Sequence, residues 1–206
     1  MRGQPPLLVP ALTCAILAGC TAAGTSGAAR HKPSSPARPA ASSTRVTGRI
    51  GSPGNPLSLS CAAEVFPGYP DPPVPRQPQP GDLVIGPLFI TNGKVLATEN
   101  PAQHGYASYG HSGRFYKIPF VLVPGSTATV TIAAPARGHV VIDIASVGGV
   151  TAASYHSCPH VTGFFAQGFA FTAPPFRGCV PLDVRIDREP QVRHVTLSLF
   201  AGSCPS

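Results

Sequence analysis

His156-Ser157-Cys158-Pro159-His160 holds the residue types most able to do chemistry in this sequence. On an extended strand, positions i, i+2 and i+4 share a face, so two imidazoles and a thiolate would converge on copper or zinc. Ligation requires Cys158 as a free thiolate, however, and Pro159 interrupts a regular strand. The expectation is therefore two surface histidines, His156 and His160, beside a disulfide, with no metal and no cofactor. A second cluster lies in the polar stretch 92–113, where His104 and His111 flank Tyr106 and Tyr109. Long polar loops carry specific binding more often than the scaffold does, so these four residues form the candidate ligand loop. Nucleophilic catalysis finds little support. There is no G-x-S-x-G elbow, and neither Gly110-His111-Ser112-Gly113 nor Gly202-Ser203-Cys204 has its spacing. Asp183 and Asp187 read as solvent-face residues of one strand, not as paired glycosidase carboxylates. No phosphate-cradling loop is present. The chain reads as a non-enzyme.

The elements that must position these residues are short strands. Strand-like runs occur at 83–91, 115–123, 127–132, 139–145, 162–171, 180–186 and 191–200. Alternation is cleanest in three of them. Thr127, Thr129 and Thr131 alternate with Ala128, Val130 and Ile132; Leu182, Val184 and Ile186 alternate with Asp183, Arg185 and Asp187; Val195, Leu197 and Leu199 alternate with His194, Thr196 and Ser198. Pro124-Gly125 marks a turn between two runs. About seven antiparallel strands with one wet face each predict an all-β sandwich, immunoglobulin-like in general architecture.

Composition supports that class and removes others. Of 206 residues, 26 are proline and 22 glycine, and charged residues make up 11%. So much proline excludes a helical bundle. No uninterrupted apolar run reaches the ~18 residues of a membrane-spanning helix. The net charge of +7 invites a nucleic-acid reading, which its distribution denies. Residues 1–50 hold six basic and no acidic residues, whereas residues 51–206 hold nine basic against eight acidic. A nucleic-acid binder needs a basic stripe on its folded face. Here the excess belongs to the N-terminal tail.

That tail carries an address. Residues 1–19 read as a secretory signal, with Arg2 ahead of an apolar stretch at 7–17. Leu17-Ala18-Gly19-Cys20 resembles the bacterial lipobox, which implies thioether lipidation at Cys20 and cleavage before it. Two acyl chains anchor stably where one is marginal. Residues 20–60, rich in Ala, Ser, Thr, Pro and Gly, read as the lipidated cysteine and a disordered tether. The folded domain is expected at 61–206, opening with a strap at 61–80 in which residues 66–80 include seven prolines. Such a segment suits polyproline II on the surface and cannot serve as a central strand.

With Cys14 removed in the signal and Cys20 lipidated, Cys61, Cys158, Cys179 and Cys204 remain, an even number in an exported domain. Four cysteines allow three connectivities. The one favoured by sequence joins Cys158 to Cys179 across neighbouring strands and Cys61 to Cys204 at the domain ends.

Leu83-Val84-Ile85-Gly86-Pro87-Leu88, Cys158 with Phe165-Ala166-Gln167-Gly168-Phe169, Gly178-Cys179-Val180-Pro181-Leu182 and the terminal Cys204-Pro205 resemble exported lipoproteins of high-GC Gram-positive bacteria, the actinobacteria, a family without a characterised function. The resemblance covers about residues 83–205. It implies a disulfide-bonded β-sandwich and an extracytoplasmic address and transfers no catalytic residue. Where many of those proteins carry a glycine pair before the phenylalanine, this chain has Gln167-Gly168. The expected function is a lipid-anchored, non-catalytic envelope protein on the outer face of the cytoplasmic membrane. It would be monomeric, binding an envelope protein or wall polymer or serving a structural role, with no nucleic acid. The alternative is an extracytoplasmic protein binding a small ligand or metal, and an envelope hydrolase ranks third.

Overall fold

The three runs of clean apolar–polar alternation become strands almost residue for residue. The computed structural model describes residues 48–61, 77–99, 114–144 and 147–205, and thirteen strands lie among them. Five form one sheet in the order β1 (Leu57–Leu59), β9 (Ala152–His156), β6 (Thr127–Ile132), β12 (Gly178–Ile186) and β13 (Val192–Leu199). All neighbours in it are antiparallel except β1 and β9, which run parallel. A four-stranded sheet follows the order β10 (Gly163–Phe165), β5 (Phe120–Leu122), β3 (Leu88–Ile90) and β2 (Leu83–Ile85). Another follows β4 (Arg114–Lys117), β11 (Gln167–Phe171), β7 (Val140–Ile144) and β8 (Gly148–Val150).

The two four-stranded sheets are joined through a single seam. Lys117 faces Gly168 and Phe120 faces Phe165 in one unbroken antiparallel register, and the Ile118 N–H donates to the Gln167 carbonyl at 3.0 Å. Pro119 has no N–H to give, so the ladder lapses there and the strands bend. The result is the expected all-β antiparallel sandwich, with the five-stranded sheet as one layer and the joined pair as the other. Between them Phe120 meets Tyr155 at 5.4 Å and Phe169 at 5.8 Å, and Tyr155 meets Phe165 at 4.9 Å. These rings belong to one continuous apolar core with Val130, Ile132, Leu182, Val184 and Leu197.

Several strands differ from the sequence reading for local reasons. The single run at 83–91 is a hairpin, because Ile85 pairs with Leu88 across Gly86-Pro87 and Gly86 takes φ +62°; two-residue turns need such a residue. The runs 115–123 and 162–171 are each divided at the seam. β8 and β9 were not expected, since their glycines and alanines lack the β-branched signal of a strand. The folded part also begins earlier than residue 61. Residues 48–60, read as the end of the tether, are part of it: β1 pairs with β9, and the Thr151 N–H donates to the Gly51 carbonyl at 2.8 Å. Residues 1–47, with Cys20 and most of the tether, and residues 62–76 of the strap lie outside the described residues.

The cysteine pairing corrects the favoured one. Cys61 is bonded to Cys158 and Cys179 to Cys204. Strands β9 and β12 are not neighbours, because β6 lies between them. Two strand spacings separate them by ~9.6 Å, beyond the reach of a disulfide. Parallel pairing instead carries β1 and β9 out of the sheet at the same end, with Leu59 beside Tyr155, so Cys61 arrives next to Cys158. Cys179 faces Ser198 on β13, and positive φ at Phe200 and Gly202 turns the chain so that Cys204 returns to it. Two disulfides fit a protein of an oxidising, extracytoplasmic compartment. No helix among the described residues is long and apolar enough to cross a membrane.

Candidate functional site

The wet face of the five-stranded sheet carries a cluster of hydrogen-bonded polar side chains. On β6 the inward positions Ala128, Val130 and Ile132 are buried, which turns Thr127, Thr129 and Thr131 outward. On β9 Ala153 and Tyr155 point inward, which turns Ser154 and His156 outward. Register then brings the two sets together: Thr127 faces His156 and Thr129 faces Ser154. The Thr129 hydroxyl donates to Ser154 Oγ at 3.0 Å. Ser154 Oγ lies 3.3 Å from His156 Nε2, and His156 Nδ1 lies 3.2 Å from Thr127 Oγ1. Because Ser154 already accepts from Thr129, its own proton is free for Nε2, and a neutral imidazole then donates from Nδ1 to Thr127. Four side chains form one directed hydrogen-bond chain across two strands.

That chain contains a serine facing an imidazole, the first requirement of a hydrolase. Two others are not met by the same residues. The imidazole is oriented by a hydroxyl, which cannot stabilise an imidazolium as a buried carboxylate does. Ser154 also lies in the middle of the sheet, with Thr129 on one side and Ser58 on the other, so nearby backbone N–H groups serve the ladder and not an oxyanion. The arrangement suits a stable polar surface.

On the same face Asp183 of β12 stands opposite His194 of β13, with Oδ1 and Nδ1 2.7 Å apart. Both were read as solvent-face positions of separate strands, and register makes them a pair. Its exposure leaves it little energetic weight.

The histidine-cysteine run of the sequence is not brought together. β9 ends at His156, Cys158 is consumed by the bond to Cys61, and His160 is exposed in the turn that follows Pro159. The shared strand face on which two imidazoles and a thiolate would meet does not exist, and both ring nitrogens of His156 face hydroxyls. His104, Tyr106, Tyr109 and His111 lie outside the described residues.

A buried polar pair lies beneath this face. The Tyr155 hydroxyl donates to Gln167 Oε1 at 2.8 Å, between the two layers. Gln167 is 2% exposed, and its Nε2 is buried without a hydrogen-bond partner among the described residues. Sequence reasoning missed both residues: Tyr155 because β9 was not expected, Gln167 because it was weighed only as a departure from a glycine. The alternation Ala153, Ser154, Tyr155, His156 was the available signal.

Burial pushes the Tyr155 phenol far above its ordinary value of 10.0. Burial also raises Tyr116, whose hydroxyl donates to the Phe176 carbonyl at 2.7 Å, although the Arg114 cation opposes the rise. The unfolded chain loses these protons near pH 10, whereas the native chain keeps them, so the native state binds more protons above that point. Stability is therefore complete below pH 10 and falls above it, by ~1.4 kcal/mol per pH unit for each fully shifted tyrosine. Tyr155→Phe is expected to make the alkaline decline shallower by one such increment. It should also lower stability at pH 7 by ~1–3 kcal/mol, since Gln167 Oε1 is left unpaired. Urea unfolding from pH 8 to 11.5 measures both, and an unchanged alkaline slope would refute the assignment.

Comparison of the chain with protein-family models, curated proteins and solved structures finds no match.

Proposed function

We propose that this chain is a lipid-anchored protein of the bacterial cell envelope, held outside the cytoplasmic membrane, that acts by binding or structural support and not by catalysis. The observation that carries the reading is the pairing of Cys61 with Cys158 and of Cys179 with Cys204. It fits export and leaves Cys20, at the end of Leu17-Ala18-Gly19-Cys20, as the thiol for lipid attachment. The hydroxyl–imidazole face supports a binding role. It is polar, and its Ser, Thr, His, Asp and Arg side chains both donate and accept hydrogen bonds, as a hydroxyl-rich wall polymer or a protein surface requires. Metal binding ranks below this because Cys158 has no thiolate to offer, and hydrolysis ranks below it because Ser154 lacks oxyanion donors.

The test is Cys20→Ser in cells fed a labelled fatty acid. The parent protein should carry the label and fractionate with membranes. The variant should lose the label and appear in the medium or as an unprocessed precursor. A parent protein whose mature N-terminus is unmodified, or begins at another residue, would overturn the anchor.

A further inference from the structure

Two chain crossings between the layers lie side by side at one end of the sandwich. Residues 133–139 carry the chain from β6 to β7, and residues 172–177 carry it from β11 to β12. The Thr172 N–H donates to the His139 carbonyl at 2.9 Å and its hydroxyl to the Gly138 carbonyl at 2.8 Å. Arg114 opens β4 at the same end, opposite Phe171. Residues 49–51 reach it too. The Gly51 carbonyl accepts the Thr151 N–H, and the Thr151 carbonyl accepts the Ile132 N–H, both at 2.8 Å.

This end is basic. Arg49, Arg114, Arg137 and Arg177 are exposed on it, and none pairs with a carboxylate among the described residues. Segments 48–56, 133–139 and 172–178 contain no Asp or Glu. Asp187 and Glu189 stand beyond the opposite end of β12, ~30 Å away along its nine extended residues. Half-buried Glu99 lies two residues past Ala97, whose carbonyl accepts the Gly202 N–H. Two of the guanidinium groups are held in place. Arg114 Cζ lies 5.5 Å from the Phe176 ring centroid, and the Tyr116 hydroxyl donates to the Phe176 carbonyl at 2.7 Å. Arg137 Nε donates to the Ile132 carbonyl at 2.7 Å. A guanidinium so fixed keeps its other N–H groups for an oxyanion, and phosphate accepts from two of them at once.

Covalent connection selects the phosphate. Residue 48, where the described chain begins, is at this end, and Cys20 precedes it in sequence. On the lipid-anchor reading, on which this inference rests for its setting, the anchored chain joins the domain here. Ile50, 66% exposed beside Arg49, adds an apolar side chain of the kind a lipid interface accommodates. We infer that this end of the sandwich docks on anionic phospholipid head groups, so that the domain makes a membrane contact of its own beside the acyl anchor.

The full chain carrying Cys20→Ser, which lacks the thiol for acylation, tests docking apart from the anchor. Small bicelles containing phosphatidylglycerol should shift the amide resonances of residues 49–51, 137–139 and 176–178. Shifts centred on Thr129 and Ser154, or on the turn at 187–191, would overturn the inference. Each arginine near an anionic surface strengthens binding about 5-fold. In the same background, Arg49→Gln with Arg177→Gln should therefore weaken binding to vesicles of equal parts phosphatidylglycerol and phosphatidylcholine about 25-fold. Arg188→Glu makes the same change in net charge at the opposite end, beyond the screening length of ~8–10 Å, and should weaken it less than about 2-fold. Equal losses in the two variants would refute the docking, as would the same loss on pure phosphatidylcholine. So would a soluble polyphosphate bound as tightly as the vesicles. Fatty-acid label on the parent without bicelle shifts would sink the docking alone, whereas shifts without label would leave it standing and sink the anchor.

Discussion

Removing the long bridge, as Cys61→Ser with Cys158→Ser, is expected to lower stability by about 4.7 kcal/mol in the chain-entropy picture. The bond closes a loop with sequence separation 97. Removing the short bridge, as Cys179→Ser with Cys204→Ser, is expected to cost about 3.5 kcal/mol for a separation of 25. In a domain of this size each kcal/mol is roughly 2–4 °C of Tm, so the long-bridge variant should melt about 9–19 °C lower. The two losses differ in character. The long bridge secures β1 beside β9, where the pairing is only three residues long, so its loss should also free residues 48–60 to proteolysis. The short bridge secures the C-terminal turn. Non-reducing peptide mapping provides the check on connectivity: Cys158 recovered with Cys179 would refute the account, as would free thiols in protein from an oxidising compartment.

Gly168→Ala is expected to destabilise the domain by ~3 kcal/mol or more, at the upper end of what overpacking costs. A β-carbon there would collide with the Tyr116 carbonyl and lie 2.7 Å from the Phe115 ring. The obstacle is backbone in a central position, since β11 is flanked by β4 on one side and β7 on the other, and neither neighbour can withdraw without breaking its ladder. Gly138→Ala makes the contrast. At Gly138 a β-carbon meets nothing within 4 Å, and only its φ of +91° opposes substitution, so that variant should lose ~1–2 kcal/mol. Chemical denaturation of the two variants separates crowding from backbone conformation. Equal losses would mean that the close approach of β4 to β11 does not exist in solution.

The wet and dry faces of β6, β12 and β13 were legible in the sequence because a period of two in apolar residues has one simple cause, burial of a single face. Thr127, Thr129 and Thr131 occupy the outward positions that alternation assigned to them. β8 and β9 were not legible, because Gly148, Gly149, Ala152 and Ala153 have weak intrinsic preference for a strand and acquire it from their partners. The candidate face suffered for that reason. Half of its hydrogen-bond chain, Ser154 and His156, lies on the strand that propensity hid.

Class, an oxidising extracytoplasmic setting and the number of disulfides were within reach of the sequence because they depend on composition and on counts: abundant proline, a basic tail ahead of a nearly neutral domain, and an even set of four cysteines from Cys61 onward. The identity of each cysteine's partner was not, because it depends on strand order. One intervening strand, β6 between β9 and β12, is enough to place Cys158 out of reach of Cys179. The parallel return of β1 is enough to place it beside Cys61. Alternation specifies which way a side chain points, and it is silent on which strand comes to lie next to which. That choice is made by nonlocal packing, here by the aromatic layer in which Phe120 meets Tyr155 and Phe169, which follow it in sequence by more than thirty residues.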